Sequence, residues 1–300
     1  MDLPQWGHDP VLIQESLDLL NLRPGVTVVD CTVGRGGHAS EIAQRIGPRG
    51  LLIALDADPY NLEDTRARLA ESPCPVRFFH ANFSELSEVL EEVRAPSVDA
   101  ILADLGLSTN QFFDPRYGLS FTQPMPLDMR FDPRMTVTAA DLVNKLSETE
   151  LANVLYNNAQ ERYSRRIVKK IAAARRFSPI TTTDQLAELV RSALPPRDAA
   201  SRRIDPATKT FLALRMEVNR EIENLRALLE QAPLRLASEG RIAVISFQST
   251  EDRLIKHAFR SAEQAGILKV LTKKPITPAE DELARNPRSR SAKLRAVQKE

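Results

Sequence analysis

Three acids stand where apolar runs stop. Asp30 ends "VTVVD", Asp56 ends "LLIALD" and Asp104 ends "VDAILAD". Four residues beyond Asp30 begins a glycine cluster, Gly34, Gly36 and Gly37, followed at once by His38. Glycines just after a strand let the backbone pass close to a ligand at the carboxyl edge of a sheet. The spacing Gly34-x-Gly36-x-x-Ala39 matches the dinucleotide fingerprint with alanine last, and Asp56, 22 residues after Gly34, suits the ribose hydroxyls of an adenosine cofactor. Two ligand classes fit so far, a dinucleotide and S-adenosylmethionine. Charge separates them: a pyrophosphate flanked by Asp30 and Asp104 is repelled, whereas a sulfonium and an ammonium are attracted. After the third apolar run, "VRFFH", Asn82 and Phe83 stand where an adenine could be held, with Phe83 against its face. The glycines alone would also fit a tight structural turn. Cys31 reads as a small packing residue rather than a nucleophile.

The elements that must position these residues alternate over the first hundred positions. Strands are predicted at 26–33, 50–58, 76–83 and 98–106, with helical "ASEIAQRI", "PYNLEDTRARLAE" and "SELSEVLEEV" between them. Such alternation implies a parallel sheet covered on both faces. The rhythm then breaks into a proline-rich loop, "FFDPRYGLSFTQPMPLDMRFDPR", and a series of helical segments. The last of these, "PATKTFLALRMEVNREIENLRALLEQAPLRLA", reads as one long helix. Strand patterning resumes with "GRIAVISF", then a helix, then "LKVLTKKPI" and "SAKLRAVQ". The economical division is one α/β domain, residues 1–107 plus 238–300, interrupted by a loop and all-helical insertion at 108–237.

Bulk composition limits the partners. The chain has 300 residues, 42% of them hydrophobic, and a formal net charge of +1, as in an ordinary globular protein with a sizeable core. No apolar run approaches a membrane span, the proline-broken N-terminus is no secretory signal, and Cys31 and Cys74 have no metal spacing. Four scattered histidines suggest no metal site. A cytoplasmic, reduced protein with no membrane partner is expected. Charge is unevenly spread: residues 160–220 hold 14 Lys/Arg against 6 Asp/Glu, so the remainder nets minus seven. A basic surplus in one region suggests a polyanion held there, with solvated helix faces as the alternative.

Eight sequence blocks carry a family resemblance. "HDPVL", "DCTVGRGGH", "ALDADP", "DLGLST", "PLDMRFDP", "PATKTFLALRMEVN", "ISFQSTEDR" and "NPRSRSAKLR" follow one another along nearly the whole chain. In these the chain resembles the MraW/RsmH family of 16S rRNA (cytosine-1402 N4) methyltransferases. The resemblance implies a class I SAM-dependent methyltransferase sheet, Rossmann-like, with an inserted helical domain for RNA recognition. It implies S-adenosyl-L-methionine as cofactor and 16S rRNA within the small ribosomal subunit as partner, the protein acting as monomer or homodimer. Block by block, the family's cofactor contacts fall on Gly36, Gly37, His38, Asp56, Phe83, Asp104 and Gln111. The residue reading adds Asp30 and Gly34 to these. The chain departs from the family where Gln248 and Thr250 replace the usual histidine and leucine of "SFHSLEDR", and where "AQERY" replaces "GEERF". An amide at 248 cannot serve as a general base.

Methylating a cytosine amine requires alignment behind an activated methyl carbon, exclusion of water, and an acceptor for the amine proton. Asp104 is the first candidate for that acceptor and Asp128 the second, the latter reading equally well as an ion-pair partner of Arg130. The target base must be unpaired or flipped. Phe112, Phe113, Tyr117 and Phe121 could receive it, or could simply bury the loop. Arg165, Arg166, Lys169, Lys170, Arg202, Arg203 and Lys209 are candidates for phosphate contacts. Arg215, on an apolar helix face, is equally a buried structural partner. Other readings of the same sequence are a methyltransferase on another nucleic acid and a non-catalytic RNA-binding assembly factor.

Overall fold

The computed structural model describes residues 10–195 and 205–300. Candidates Arg202 and Arg203 lie outside the described residues. The described chain forms two compact units: residues 1–108 with 222–300, and residues 109–221.

The first unit is built on a seven-stranded sheet in the order β3-β2-β1-β4-β5-β7-β6. The strands are β1 (Thr27–Asp30), β2 (Leu51–Asp56), β3 (Val76–His80), β4 (Val98–Asp104), β5 (Leu236–Ser246), β6 (Leu268–Val270) and β7 (Lys293–Lys299). All neighbours pair in parallel except β7, which runs antiparallel to both β5 and β6. This is the class I methyltransferase arrangement. Successive strand residues point to opposite faces, so each strand feeds two cores. Val29, Ile53, Ile101 and Val244 join Leu86, Leu90 and Ile255 on one face. Val28, Leu52, Leu102 and Ala243 join Leu17, Ile42 and Leu62 on the other.

Two expectations shift. The segment at 206–237 is not one helix. It forms Ala207–Val218 and Glu221–Gln231, broken at Asn219 and Arg220, the latter at φ 50°. Asn219 spends its side chain on the loop: its Oδ1 accepts from Phe131 N at 2.9 Å and its Nδ2 donates to Met129 O at 2.7 Å. Leu225, Leu228 and Leu229 then pack into the first unit's core. The division therefore falls at 221/222 instead of 237/238. Likewise "LKVLTKKPI" keeps only Leu268–Val270 as strand, with an isolated bridge at Ile276.

Among its described residues, the second unit holds the proline-rich loop and five longer helices, Ala139–Lys145, Glu148–Ala159, Ser164–Arg175, Thr183–Ala193 and Ala207–Val218, with a short one at Thr109–Phe113. Its loop is stitched by three Asp-x-Arg forks, Asp114–Arg116, Asp128–Arg130 and Asp132–Arg134. Among the described residues, no helix is long and apolar enough to cross a membrane.

Candidate active site

The carboxyl ends of β1, β2 and β4 carry the three acids the sequence singles out; Asp30 and Asp56 are buried and Asp104 is half-buried. Parallel pairing puts Asp30 beside Ala54 and Leu102, so the ends of β1, β2 and β4 share one edge. Asp56 organises the glycine turn. Its Oδ2 accepts from Gly34 N at 2.7 Å and its Oδ1 from Asp58 N at 2.9 Å. Thr65 Oγ1 donates to Gly34 O at 2.6 Å, holding the turn from the far side. Gly36 sits at φ 78°, and a Cβ there would meet Thr65 Cγ2 at 2.9 Å, so only glycine fits without displacing the clamp. Gly37 begins the helix Gly37–Ile46, and a Cβ on it would meet Pro10 at 3.1 Å. Pro10 thus lies against the turn.

His38, in the first turn of that helix, is buried. Its Nε2 lies 3.1 Å from Val11 O, and its Nδ1 lies 3.8 Å from Asp104 Oδ2. A carbonyl only accepts, so Nε2 carries the hydrogen and Nδ1 is left to face the carboxylate. At 3.8 Å the contact is electrostatic rather than a hydrogen bond. Asp104 itself is fixed through its backbone: its N–H donates to Thr32 Oγ1 at 2.7 Å.

The site gathers more carboxyls than spacing shows. Burial, followed by the charges of Asp30, Glu251 and Glu282, raises the Asp104 carboxyl well above the ordinary range. Burial pushes Asp30 up to about 7, the Asp56 charge adding to it and a bond from Thr32 N–H opposing it. Asp56 is also pushed up to about 7, mainly by burial, against the bonds from Asp58, Gly34 and Asn61. Asp30 Oδ2 and Asp104 Oδ1 are buried and receive no hydrogen bond from the described residues. Buried acceptors of this kind are costly unless a cationic or hydrogen-bonding ligand meets them. The residues therefore fit a positively charged adenosine cofactor and disfavour a pyrophosphate. Sequence spacing missed Thr32, Thr65, Glu251 and Glu282. Glu282 reaches the site's neighbourhood through the fold, where its Oε1 accepts from Leu12 N at 2.9 Å.

One consequence is measurable in the free protein. Because folding raises the Asp30 pKa, the folded chain keeps a proton that the unfolded chain gives up between about pH 4 and 7, and stability falls as pH rises through that window. Asp30→Asn removes this penalty. At pH 8 the variant is expected to be about 1–3 kcal/mol more stable than the parent, with little difference at pH 4. Urea unfolding at both pH values checks it; an equal difference at the two would contradict the account.

Other candidates fall as follows. Phe83 is half-buried and opens a short helical turn whose cap is Asn82: Asn82 Oδ1 accepts from Ser84 N at 3.0 Å. That cap engages the side chain of Asn82, which the sequence reading placed where an adenine could be held. Gln111 is buried in the second unit. Asp128, also in that unit, is held by both arms of Arg130, with Nε and Nη2 each donating at 2.7 Å. Its ion-pair reading is the one the geometry displays. Tyr117 is buried, Phe121 packs edge-on against Phe211 at 4.7 Å, and Phe112 meets Phe113 at 5.2 Å. Arg215 forms a two-armed pair with Glu221 at 2.7 and 2.8 Å. Gln248 caps the helix Ser249–Gln264 directly after β5.

Arg165, Arg166, Lys169 and Lys170 are all exposed on the helix Ser164–Arg175, whose other face buries Ile167, Val168 and Ile171. Lys209 is exposed, with Nζ 3.3 Å from Gln160 O. The structure adds Phe177, just past that helix and 92% exposed, a residue that apolar patterning alone would assign to the core.

Known proteins match this chain over nearly its whole length. The profile of the MraW methylase family matches residues 5–300. The chain is 47% identical to Ribosomal RNA small subunit methyltransferase H of Koribacter versatilis, covering 98% of this chain and 95% of the relative. It is 46% identical to the protein of the same name from Cyanothece sp., covering 99% and 96%. Among solved structures it is similar to an rRNA methylase from Streptococcus thermophilus, with a TM-score of 0.46 and 13% identity over 96% of this chain and 95% of that one. The acid-lined glycine turn thus sits in a sequence matched from end to end, and the chain belongs to the MraW methylase family.

Proposed function

We propose that this protein methylates the exocyclic N4 of a cytosine in small-subunit ribosomal RNA, with S-adenosylmethionine as donor. The observation that carries the reading is the near full-length likeness to ribosomal RNA small subunit methyltransferase H at 47% identity. The choice of an amine target rests on Asp104. Bound S-adenosylmethionine supplies a methyl group already activated on a positive sulfur. The residues to hold it are Asp30, Gly34, Gly36, Gly37, His38, Asp56 and Phe83. Asp30 and Asp104 provide negative charge for the ammonium and sulfonium, and Asp56 both shapes the turn and offers lone pairs to ribose hydroxyls.

Asp104 takes up the amine proton. Its basicity is raised by burial and by the surrounding acids, so it accepts a hydrogen bond from the amine and helps free the lone pair. His38 is fixed through Val11 O, with its Nδ1 3.8 Å from Asp104 Oδ2. In the second unit, Arg165, Arg166, Lys169, Lys170 and Lys209 neutralise phosphates without reading sequence. Exposed Phe177 offers a face on which a splayed base stacks.

The test is mass spectrometry of small-subunit rRNA from cells with and without the protein. A 4-methylcytosine present in the parent should vanish on deletion and return with the wild-type chain. An unchanged 4-methylcytosine signal would reject the assigned target.

A further inference from the structure

A second cavity, of about 220 Å³, lies in the first unit and shares no residue with the acid-lined site. One face of the helix Ser249–Gln264 supplies Lys256, Phe259, Arg260 and Glu263, spaced three and four apart so that they project together. Lys273, after β6, and Arg295, on β7, complete the cationic wall. Four cations therefore line this cavity against one lining carboxylate, with Asp252 behind Arg295 as a second. The lining carboxylate is committed to the chain, since Glu263 Oε1 accepts from Val270 N at 3.0 Å.

The wall is built rather than incidental. Arg295 is buried and held by Asp252, its Nε donating to Oδ1 at 2.6 Å, and Lys293 braces the same carboxylate at 3.3 Å. Phe259, also buried, gives the cavity an apolar side. Among the described residues, Lys256, Arg260 and Lys273 have no carboxylate partner. Background charge does not explain this, because the chain outside residues 160–220 nets minus seven. Like charges gathered around a concavity repel one another and lower its potential energy only for an anion. A nucleotide unit matches the mixture of cations and apolar side.

We propose that this cavity binds a phosphodiester of the RNA substrate, a backbone grip in the cofactor-binding unit that is separate from the basic helix of the second unit. The proposal rests on the reading of the substrate as RNA. Phosphate contacts of this kind set register and strength rather than base choice.

The test uses the full-length Lys256→Ala/Arg260→Ala double variant and Lys273→Glu. Binding to small-subunit RNA is measured across a range of salt, with S-adenosylmethionine affinity by calorimetry as control. The double variant should bind RNA about tenfold or more weakly near 0.1 M salt, with the slope of log affinity against log salt reduced by about 1.4–1.8 for two lost phosphate contacts. Lys273→Glu should weaken it further, and cofactor affinity should match the parent in both. Inorganic pyrophosphate should raise the melting temperature of the parent but not of the double variant. Unchanged RNA affinity and slope in both variants would overturn the proposal. Pyrophosphate protection alongside unchanged RNA binding would give the cavity to a free phosphate compound instead. Protection by polyglutamate but not by pyrophosphate would also overturn it, in favour of an acidic protein partner. A parent that neither binds nor methylates RNA would defeat the substrate reading, while the pyrophosphate measurement would still decide whether the cavity takes phosphate.

Discussion

Asp104→Asn is expected to lower the rate of RNA methylation by about 10²–10⁴-fold while leaving the fold intact. The amide keeps the shape of the carboxyl and can still donate towards His38 Nδ1, which lies 3.8 Å from Asp104 Oδ2 in the parent. It cannot take up a proton. Removing a half-buried acid that Asp30, Glu251 and Glu282 already repel also relieves the folded state, so the melting temperature should not fall. Cofactor affinity should drop less than the rate, because Asp30 retains its negative charge. Single-turnover methylation with bound cofactor and RNA separates these effects. A variant that methylates within about threefold of the parent would remove Asp104 from the proton path.

Gly118→Ala is expected to be the most damaging single change in the second unit. Gly118 has φ +61°, and a Cβ there would run into Pro126 O and lie 3.1 Å from Asp128 N. Both obstacles are backbone, and that backbone is tied down. Met129 N donates to Tyr117 O at 2.8 Å, Leu127 N to Thr181 O at 2.9 Å, and Asp128 is held by the Arg130 fork. The left-handed conformation alone costs an alanine about 1 kcal/mol, and the clash cannot relax by a rotamer change. A loss of about 3 kcal/mol or more is expected. It should be read as a lower melting temperature and faster proteolysis within residues 114–135. A melting temperature within about 2 °C of the parent would contradict the packing described.

The glycine turn was legible in the sequence because its signals are local. An apolar run that stops at an acid marks both a strand end and the edge it reaches, as at Asp30, Asp56 and Asp104. The glycines follow within seven residues of Asp30. The acids that complete the electrostatics were not legible. Glu282 reaches the site's neighbourhood only because its carboxylate receives Leu12 N–H, a contact across 270 residues. The break at Asn219 was hidden for a similar reason. Its helical period continues through Arg220, and the partners that pull its side chain away, Met129 and Phe131, lie about ninety residues earlier. Asp128 shows the converse. Its ionisable side chain invited a catalytic role, yet an arginine two residues on takes both its oxygens. Phe177 was overlooked because apolar residues are expected inside, and only its exposure marks it.

The pairing of β4 with β5, which brings Asp104 alongside Ile245, also constrains how the protein is made. A nascent chain that has emerged only through residue 108 possesses β1 to β4 but lacks the neighbour for "AILAD". Its apolar strand is bare along one side, an invitation to join a stranger's sheet. The ribosome must deliver the whole inserted unit before that side is covered, and β7 must follow before β5 and β6 are bridged. Amino-terminal fragments cut near the insertion are therefore poor reagents for studying the cofactor site. A rearranged gene that places β5 to β7 ahead of β1 would give the sheet its missing neighbours earliest in synthesis.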